Sequence, residues 1–454
     1  MHYLDEAAQF VYALQFKDIP PQVVDRARMI VLDSVGVMIA GSREAHVGAM
    51  AKALRIRGSN GRSLFLTDGR RGDAGDAALI NGVSICAHVA EEGHKYARGH
   101  VAAYVVPAVL AVAEERNLSG AEFLTALVAA YELVARLGMA CRVREGMHPS
   151  GTWGTVGCSA VVAKMMGLQP GQIRETMNVA APLTLATSWN AAEEGALVRD
   201  LYSGSGGTGA VWAPRWVEAG ITGSADDVVE IFGKVSSETF DSGIVSDGLG
   251  SRWEILRNYF KVHACCRNFQ SGIDVAVDLR KSPQLPDTAA ISAINVDTFS
   301  APALHNTNPM PGNLLAARES LPVSLALTLI HGKCDQSVYT QEHVSNPEVK
   351  RLASLVRINL DPDLDKLYPD CRPTRVTVTL ASGKTLSGYE DVALGDPARP
   401  VSEAMLRSKF HANASPVGLN TVAKLEQIIA EVESLKSISM LTECLATTNA
   451  VAHA

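Results

Sequence analysis

Basic charge is in short supply in this chain of 454 residues. Lys and Arg total 41 against 48 Asp and Glu, a formal net charge of -7, so the electrostatic footprint of a nucleic-acid binder is missing. Like charges never gather into a block, which removes the signature of a membrane-surface segment or a charged interaction tail. No run approaches 18 consecutive apolar residues, so no transmembrane span is expected. The opening residues, Met1 to Glu6, lack a basic stretch followed by an apolar one and do not read as a secretory signal. The eight cysteines are scattered, without a CxxC pair. A cytoplasmic protein with reduced thiols is the expectation. Internal repeats and long low-complexity linkers are missing too.

What is present is a globular balance, 47% apolar and 20% charged, in a chain long enough for two domains. Residues 1 to about 260 are rich in Ala, Leu and Val and show no convincing run of alternating strands. Ser119-Gly-Ala-Glu122 fits a capping box, and behind it Phe123, Leu127, Ala130, Tyr131 and Val134 recur at helical spacing. A second helix is predicted over 25–39, and a third after Gly154, apolar over 160–166 and ended by Gly167. Frequent small residues predict closely packed helices. After about residue 285 the pattern changes to period two, at 294–297, 356–360 and 375–380. The last of these is followed by Ala381-Ser-Gly383-Lys384, which reads as a hairpin. A helix over 321–330 lies between these strands. Helical character returns from Ser402, with Val422, Leu425, Ile428 and Ile429 on one face, and residues 445–454 are expected to fray.

Gly204-Ser-Gly206-Gly207-Thr-Gly209 matches G-x-G-x-x-G. A dinucleotide site needs those glycines between a strand and a helix, and this half offers no strand. Tight packing or a glycine-rich helix entry is the expectation, and without a following G-K-[ST] there is no P-loop. Adjacent Cys265 and Cys266 have poor geometry for sharing one ion, so structural thiols are expected.

The densest polar stretch runs from His88 to His100 and holds three His, two Glu, a Tyr, a Lys and an Arg within 13 residues. The apolar run 105–113 follows. A polar loop feeding a buried helix can present catalytic groups on a rigid frame, and a solvated charged loop is the alternative. H-E-x-x-H is absent and the histidine spacing fits no standard ligand set, so no metal is expected. His148, in His148-Pro-Ser-Gly-Thr-Trp-Gly154, fits either a cleft wall or a satisfied turn. Arg199, Tyr202, Lys261 and Arg267 sit in short polar segments. Arg suits bidentate carboxylate binding and Lys a point charge, although singly each also fits an ordinary surface position.

Together these segments resemble the MmgE/PrpD family of 2-methylcitrate dehydratases and cis-aconitate decarboxylases, over nearly the whole chain. The resemblance rests on Leu32-Asp33-Ser34-Val35-Gly36, Asn81-Gly82, Glu91-Glu92-Gly93-His94-Lys95-Tyr96 with Gly99-His100, and His148-Pro-Ser-Gly-Thr152. It continues through Arg199-Asp-Leu-Tyr202-Ser-Gly204, Phe260-Lys261 with Cys265-Cys266-Arg267, and Gly395-Asp396-Pro397 with Lys409-Phe410. This chain departs from the family pattern at several places. Glu91-Glu92 replaces an Asp pair, Val89 stands where an upstream Asp is common, and Val101 follows the second His in place of Pro. Arg199 and Asp200 occupy a basic site, and Gln270 stands for a His.

The resemblance implies a mainly α fold with an inserted α+β domain. The helical domain would be built from residues 1–265 and 403–454, with an α+β lid over 266–402, and the site would lie between them. It implies a cofactor-independent lyase, a dehydratase or decarboxylase, acting on a small di- or tricarboxylate, as a homodimer with no nucleic-acid or membrane partner. His100 is the expected leading acid/base residue, with His148 as the second. Glu92 and His94 would assist, and Tyr202 would donate to a departing hydroxyl. Glu91, Tyr96, Arg199, Lys261 and Arg267 would hold substrate. Two glutamates in the cleft would disfavour an extra carboxylate unless one stays protonated, which hints at a substrate less anionic than citrate or bearing an amine. Two further readings stay open: an epimerase that removes and returns one proton, and a binding protein that keeps the fold without turnover.

Overall fold

The computed structural model describes residues 2–55, 60–285 and 287–447. From residue 448 on, the segment expected to fray lies outside them; Leu445 and Ala446 belong to the helix Ser439–Ala446. The molecule is mainly α, with one four-stranded sheet in its second half.

The predicted helix over 25–39 extends over Pro21–Gly41, and the one behind Ser119 spans Gly120–Ala140. Ser119 and Glu122 form the reciprocal cap, with the Glu122 carboxylate accepting from the Ser119 N–H at 2.8 Å. Gly120–Ala140 is also long and apolar enough to cross a membrane, but 94% of its apolar window is buried inside the protein, as in a core helix. Its two interior polar side chains are anchored there to the backbone. Glu132 accepts from the N–H groups of Glu254 (3.0 Å) and Ile255 (2.9 Å), and Arg136 donates to the carbonyls of Asp247, Gly248 and Arg252. Gly154–Met165 is the third predicted helix, and Gly167, at φ +89°, supplies the left-handed residue past its end.

The glycine-rich segment is continuous helix, Val198–Glu218, with no strand leading into it. Its glycines are contact points. A Cβ on Gly204 would lie 2.5 Å from the Leu79 carbonyl oxygen, and one on Gly82 would lie 2.6 Å from the Gly204 Cα. Helix Ala74–Cys86 therefore crosses Val198–Glu218 backbone to backbone. Gly206 likewise admits the Tyr104 ring and the Thr155 hydroxyl.

In the second half, Ile291–Thr298 pairs parallel with Val356–Leu360, one edge of the sheet, and antiparallel with Thr374–Leu380, beside which Thr385–Glu390 forms the other edge. The alternation in 374–380 is that of a sheet with one covered face, and helix Gln270–Lys281 packs on it. The parallel pair is connected through helices, among them the predicted Leu321–His331. Helix Glu403–Ala414 returns to pack on Pro21–Gly41, where Lys409 meets buried Asp33 at 2.6 Å and also donates to the Ala90 carbonyl at 2.8 Å.

Short strands, too brief to alternate visibly, bring distant loops together. Gly93–His94 pairs with Asn258–Tyr259, which lays the polar stretch beside Lys261.

The crossing yields a paired test. Gly204→Ala is expected to lower stability by about 1–3 kcal/mol, as overpacking does. Gly207→Ala, whose Cβ would meet nothing closer than 3.7 Å, should leave the melting temperature unchanged or raise it. Thermal melts of the two variants check this, and equal losses would refute the crossing argument.

Candidate active site

A cavity of about 360 Å³ opens between the helical part and the sheet-bearing part. One wall carries His100, His148 and Arg199; the other carries Arg267, Asn268, His305 and Arg372; Lys261 lines it as well.

The polar stretch reaches the cavity through an unusual backbone. Val89 is held at φ +53°, a left-handed conformation that a β-branched residue rarely adopts. The carbonyl of Val89 accepts from Lys261 Nζ at 2.8 Å. Lys409 holds the next carbonyl, that of Ala90. Glu91 then turns fully inward. Its carboxylate lies 3.4 Å from Lys261 Nζ, 3.1 Å from Arg199 Nη2 and 3.6 Å from His100 Nε2. Burial alone would raise the Glu91 carboxyl, but Lys261 and Arg199 outweigh it and hold the group well below the usual carboxylate range.

His100 and His148 are neutral, and their free nitrogens differ in kind. His100 Nδ1 donates to the Glu92 carbonyl at 2.9 Å, which leaves Nε2 unprotonated. Burial pushes this imidazole down to about 3, helped by Lys261 and Arg199 and opposed by Glu91. His148 Nδ1 instead accepts the Ser150 N–H at 3.1 Å, which leaves the proton on Nε2. Burial, with Arg199 next, drives its pKa well below the ordinary value. The His148 ring packs 4.5 Å from Trp189 and 5.8 Å from Tyr202. His100 and His148 thus offer the cavity one base nitrogen and one N–H donor, and Lys261 adds a buried ammonium. Two of the three Lys261 donors are used by Val89 and Glu91, leaving the third for a ligand.

Five of the ten expected site residues line the cavity: His100, His148, Arg199, Lys261 and Arg267. Glu91 and Tyr202 stand one layer behind; the Tyr202 hydroxyl accepts the Ser188 N–H at 3.2 Å. The other three are placed elsewhere. Glu92 turns into the core, accepting from Ala102 N–H (2.5 Å), the Tyr131 hydroxyl (3.0 Å) and Asn258 (3.3 Å). Burial raises its carboxyl to about 8, so it is neutral there. His94 is fully buried, 3.5 Å from Glu254, and Tyr96 lies under Arg257 at 3.8 Å. Consecutive residues of this irregular stretch point in different directions, and spacing alone could not separate Glu91 from Glu92. Only one of the two glutamates therefore bears on the cavity's charge. Gln270, one of the departures from the family pattern, bonds the His263 and Cys265 carbonyls and does not line the cavity.

The sequence reading missed Glu319, Trp189, His305 and Arg372. Each is an isolated polar or aromatic residue in its own segment, and only folding brings it to the cavity. Glu319 lies 3.8 Å from Arg199. Among the described residues no group of three or more His, Cys, Asp or Glu converges as a ligand set for a metal.

Fold and cavity together describe a mainly helical protein with a buried, cation-lined cleft suited to a small anion. Models of the MmgE/PrpD N-terminal and C-terminal domains match residues 5–236 and 263–435, and the chain belongs to the MmgE/PrpD family. It is 25% identical to the cis-aconitate decarboxylase of Mus musculus, over 96% of this chain and 92% of that protein. The Homo sapiens cis-aconitate decarboxylase is 25% identical over 96% and 93%, and that of Aspergillus terreus 23% over 97% and 95%. These relatives support a lyase-type reaction for this chain.

The placement of Glu92 is testable through pH. Its folded pKa of about 8 lies above the ordinary 4.5, so its contribution is complete below about pH 4.5 and is lost as pH rises toward 8. Glu92→Gln removes that titration. The melting temperature of the variant, relative to the parent, should climb steadily from pH 5 to pH 8, with turnover retained. A folded Glu92→Gln protein without turnover would put this carboxyl back in the machinery.

Proposed function

We propose that the protein is a cofactor-independent lyase that decarboxylates or dehydrates a small di- or tricarboxylate, with cis-aconitate the first substrate to test. The observation that carries this reading is the pair of neutral histidines with complementary ring nitrogens facing one cavity beside Lys261. Loss of a proton or of carbon dioxide beside a carboxylate leaves an electron pair on carbon, which must be stabilised and then protonated or passed on to a leaving group. An unprotonated His100 Nε2 suits the proton-accepting step. The His148 Nε2–H suits hydrogen bonding to, or protonation of, the opposite side. The ammonium of Lys261, desolvated and held in place by Glu91, offsets the developing charge. The cis-aconitate decarboxylase relatives, aligned end to end with this chain, support the choice of substrate.

A second reading, proton removal and return by an epimerase, draws on the same two nitrogens. One experiment separates the two. Proton NMR in deuterated water follows cis-aconitate, 2-methylcitrate, citrate and an amino-dicarboxylate with the purified protein. New vinyl signals are expected, with a drop of about a hundredfold or more in their rate of appearance in His100→Ala. Deuterium uptake at an α-carbon without new vinyl protons would replace the lyase by the epimerase. Unchanged spectra with all four compounds would sink both.

Because His100 is already neutral down to about pH 3, its titration should not shape the rate between pH 5 and 8. A rate profile in that window with no inflection lost on His100→Gln is the expected result.

A further inference from the structure

The cations of the cavity are not equivalent, and the difference locates the part of the ligand that is held without reacting. Arg199 is largely spent on the protein: Nη1 donates to the Cys86 carbonyl (2.9 Å) and Asp200 (3.4 Å) and Nη2 to Glu91, and only Nε lacks an acceptor. Glu319 stands 3.8 Å away as a further counter-charge. Lys261 is shared between Val89 and Glu91. On the opposite wall the balance is reversed. Arg372 is only 6% exposed, yet among the described residues its guanidinium has no hydrogen-bond or ion-pair partner, and its Nε and Nη1 are buried without an acceptor. It sits over the Tyr368 ring, 5.5 Å from the centroid. Arg267, 7% exposed, spends one nitrogen on Asp396 (2.7 Å) and stacks on Tyr259 at 4.2 Å, while its Nε and Nη1 also lack acceptors. Arg372 is close enough to Arg267 to help depress its pKa to about 10, burial being the larger cause.

Two neighbouring guanidiniums withdrawn from water with open donors are unfavourable alone, because a buried charge is tolerated only when it is paired. A carboxylate matches the planar fork of a guanidinium and can span two of them. Both residues line the same cavity as His100 and Lys261.

We propose that Arg372 and Arg267 form an anion subsite that takes the non-reacting carboxylate of the substrate, so that the enzyme selects di- and tricarboxylates over monocarboxylates. This rests on the lyase reading for the substrate class, but its geometry stands apart from the reaction.

The test is calorimetric binding of tricarballylate, a saturated tricarboxylate with no double bond or hydroxyl to react, to the full chain. Arg372→Gln is expected to weaken binding by about ten- to a hundredfold, the worth of lost charge-assisted hydrogen bonds. Arg372→Lys should recover only part, since an ammonium cannot form the fork. Without ligand, Arg372→Gln should melt no lower than the parent, because it removes an unpaired buried charge. If that variant does not fold, Arg372→Lys alone decides, with a several-fold higher KM for whichever polycarboxylate is turned over and an unchanged kcat. Equal tricarballylate affinity in the parent and a folded Arg372 variant overturns the subsite, as does a parent that binds neither tricarballylate nor citrate. Arg372-dependent binding in a protein that turns over no polycarboxylate would uphold the subsite and overturn the lyase reading instead.

Discussion

The Glu91 carboxylate is the interaction around which the site is organised. It is wholly buried and still ionised, which is possible only because Lys261 and Arg199 approach it at 3.4 and 3.1 Å. The dependence runs both ways. A buried ammonium and a buried guanidinium would each be costly without that carboxylate, and removal of one partner would leave uncompensated charge in the interior. Burial keeps His100 neutral, the cations beside it reinforce that, and Glu91 opposes it. A single acidic side chain thus positions two cations and takes part in setting the protonation state of a histidine.

That carboxylate is where it is because the fold leaves it little choice. The backbone at Val89 is turned into a left-handed conformation, and the two carbonyls before Glu91 are held by Lys261 and Lys409. Lys409 comes from a helix more than 300 residues away in sequence and is itself paired with Asp33. Below this, Ala74–Cys86 and Val198–Glu218 cross closely enough that glycine is needed on both, and this brings Arg199, at the start of the second helix, within reach of Cys86 at the end of the first. Packing and chemistry are coupled through these few contacts.

Much of the architecture was legible in the residues. The capping box at Ser119, the helix over Pro21–Gly41 and the period-two strands at 356–360 and 374–380 stand where their patterns placed them, because each is a local pattern of considerable length. The two-residue pairing of Gly93–His94 with Asn258–Tyr259 was not legible, since a pattern needs several residues to show itself. At the site, His100, His148, Arg199, Lys261 and Arg267 were marked by family motifs and do meet at one cavity. Glu92, His94 and Tyr96 belong to the same motif and do not reach it, because an irregular stretch, a two-residue strand and a turn follow one another there and send their side chains in different directions.

By itself the sequence determined the class of molecule: helical packing from its small residues, an α+β segment from its alternation, and a set of histidines and cations suited to an anionic substrate. The tertiary structure alone decided which charges are spent and which are free. Arg199 and Arg372 are the same residue type, and composition cannot tell them apart. One is surrounded by Glu91, Asp200 and Glu319, and the other is buried with its donors open. Pairing is a matter of distance between groups far apart in the chain, and distance is what folding adds.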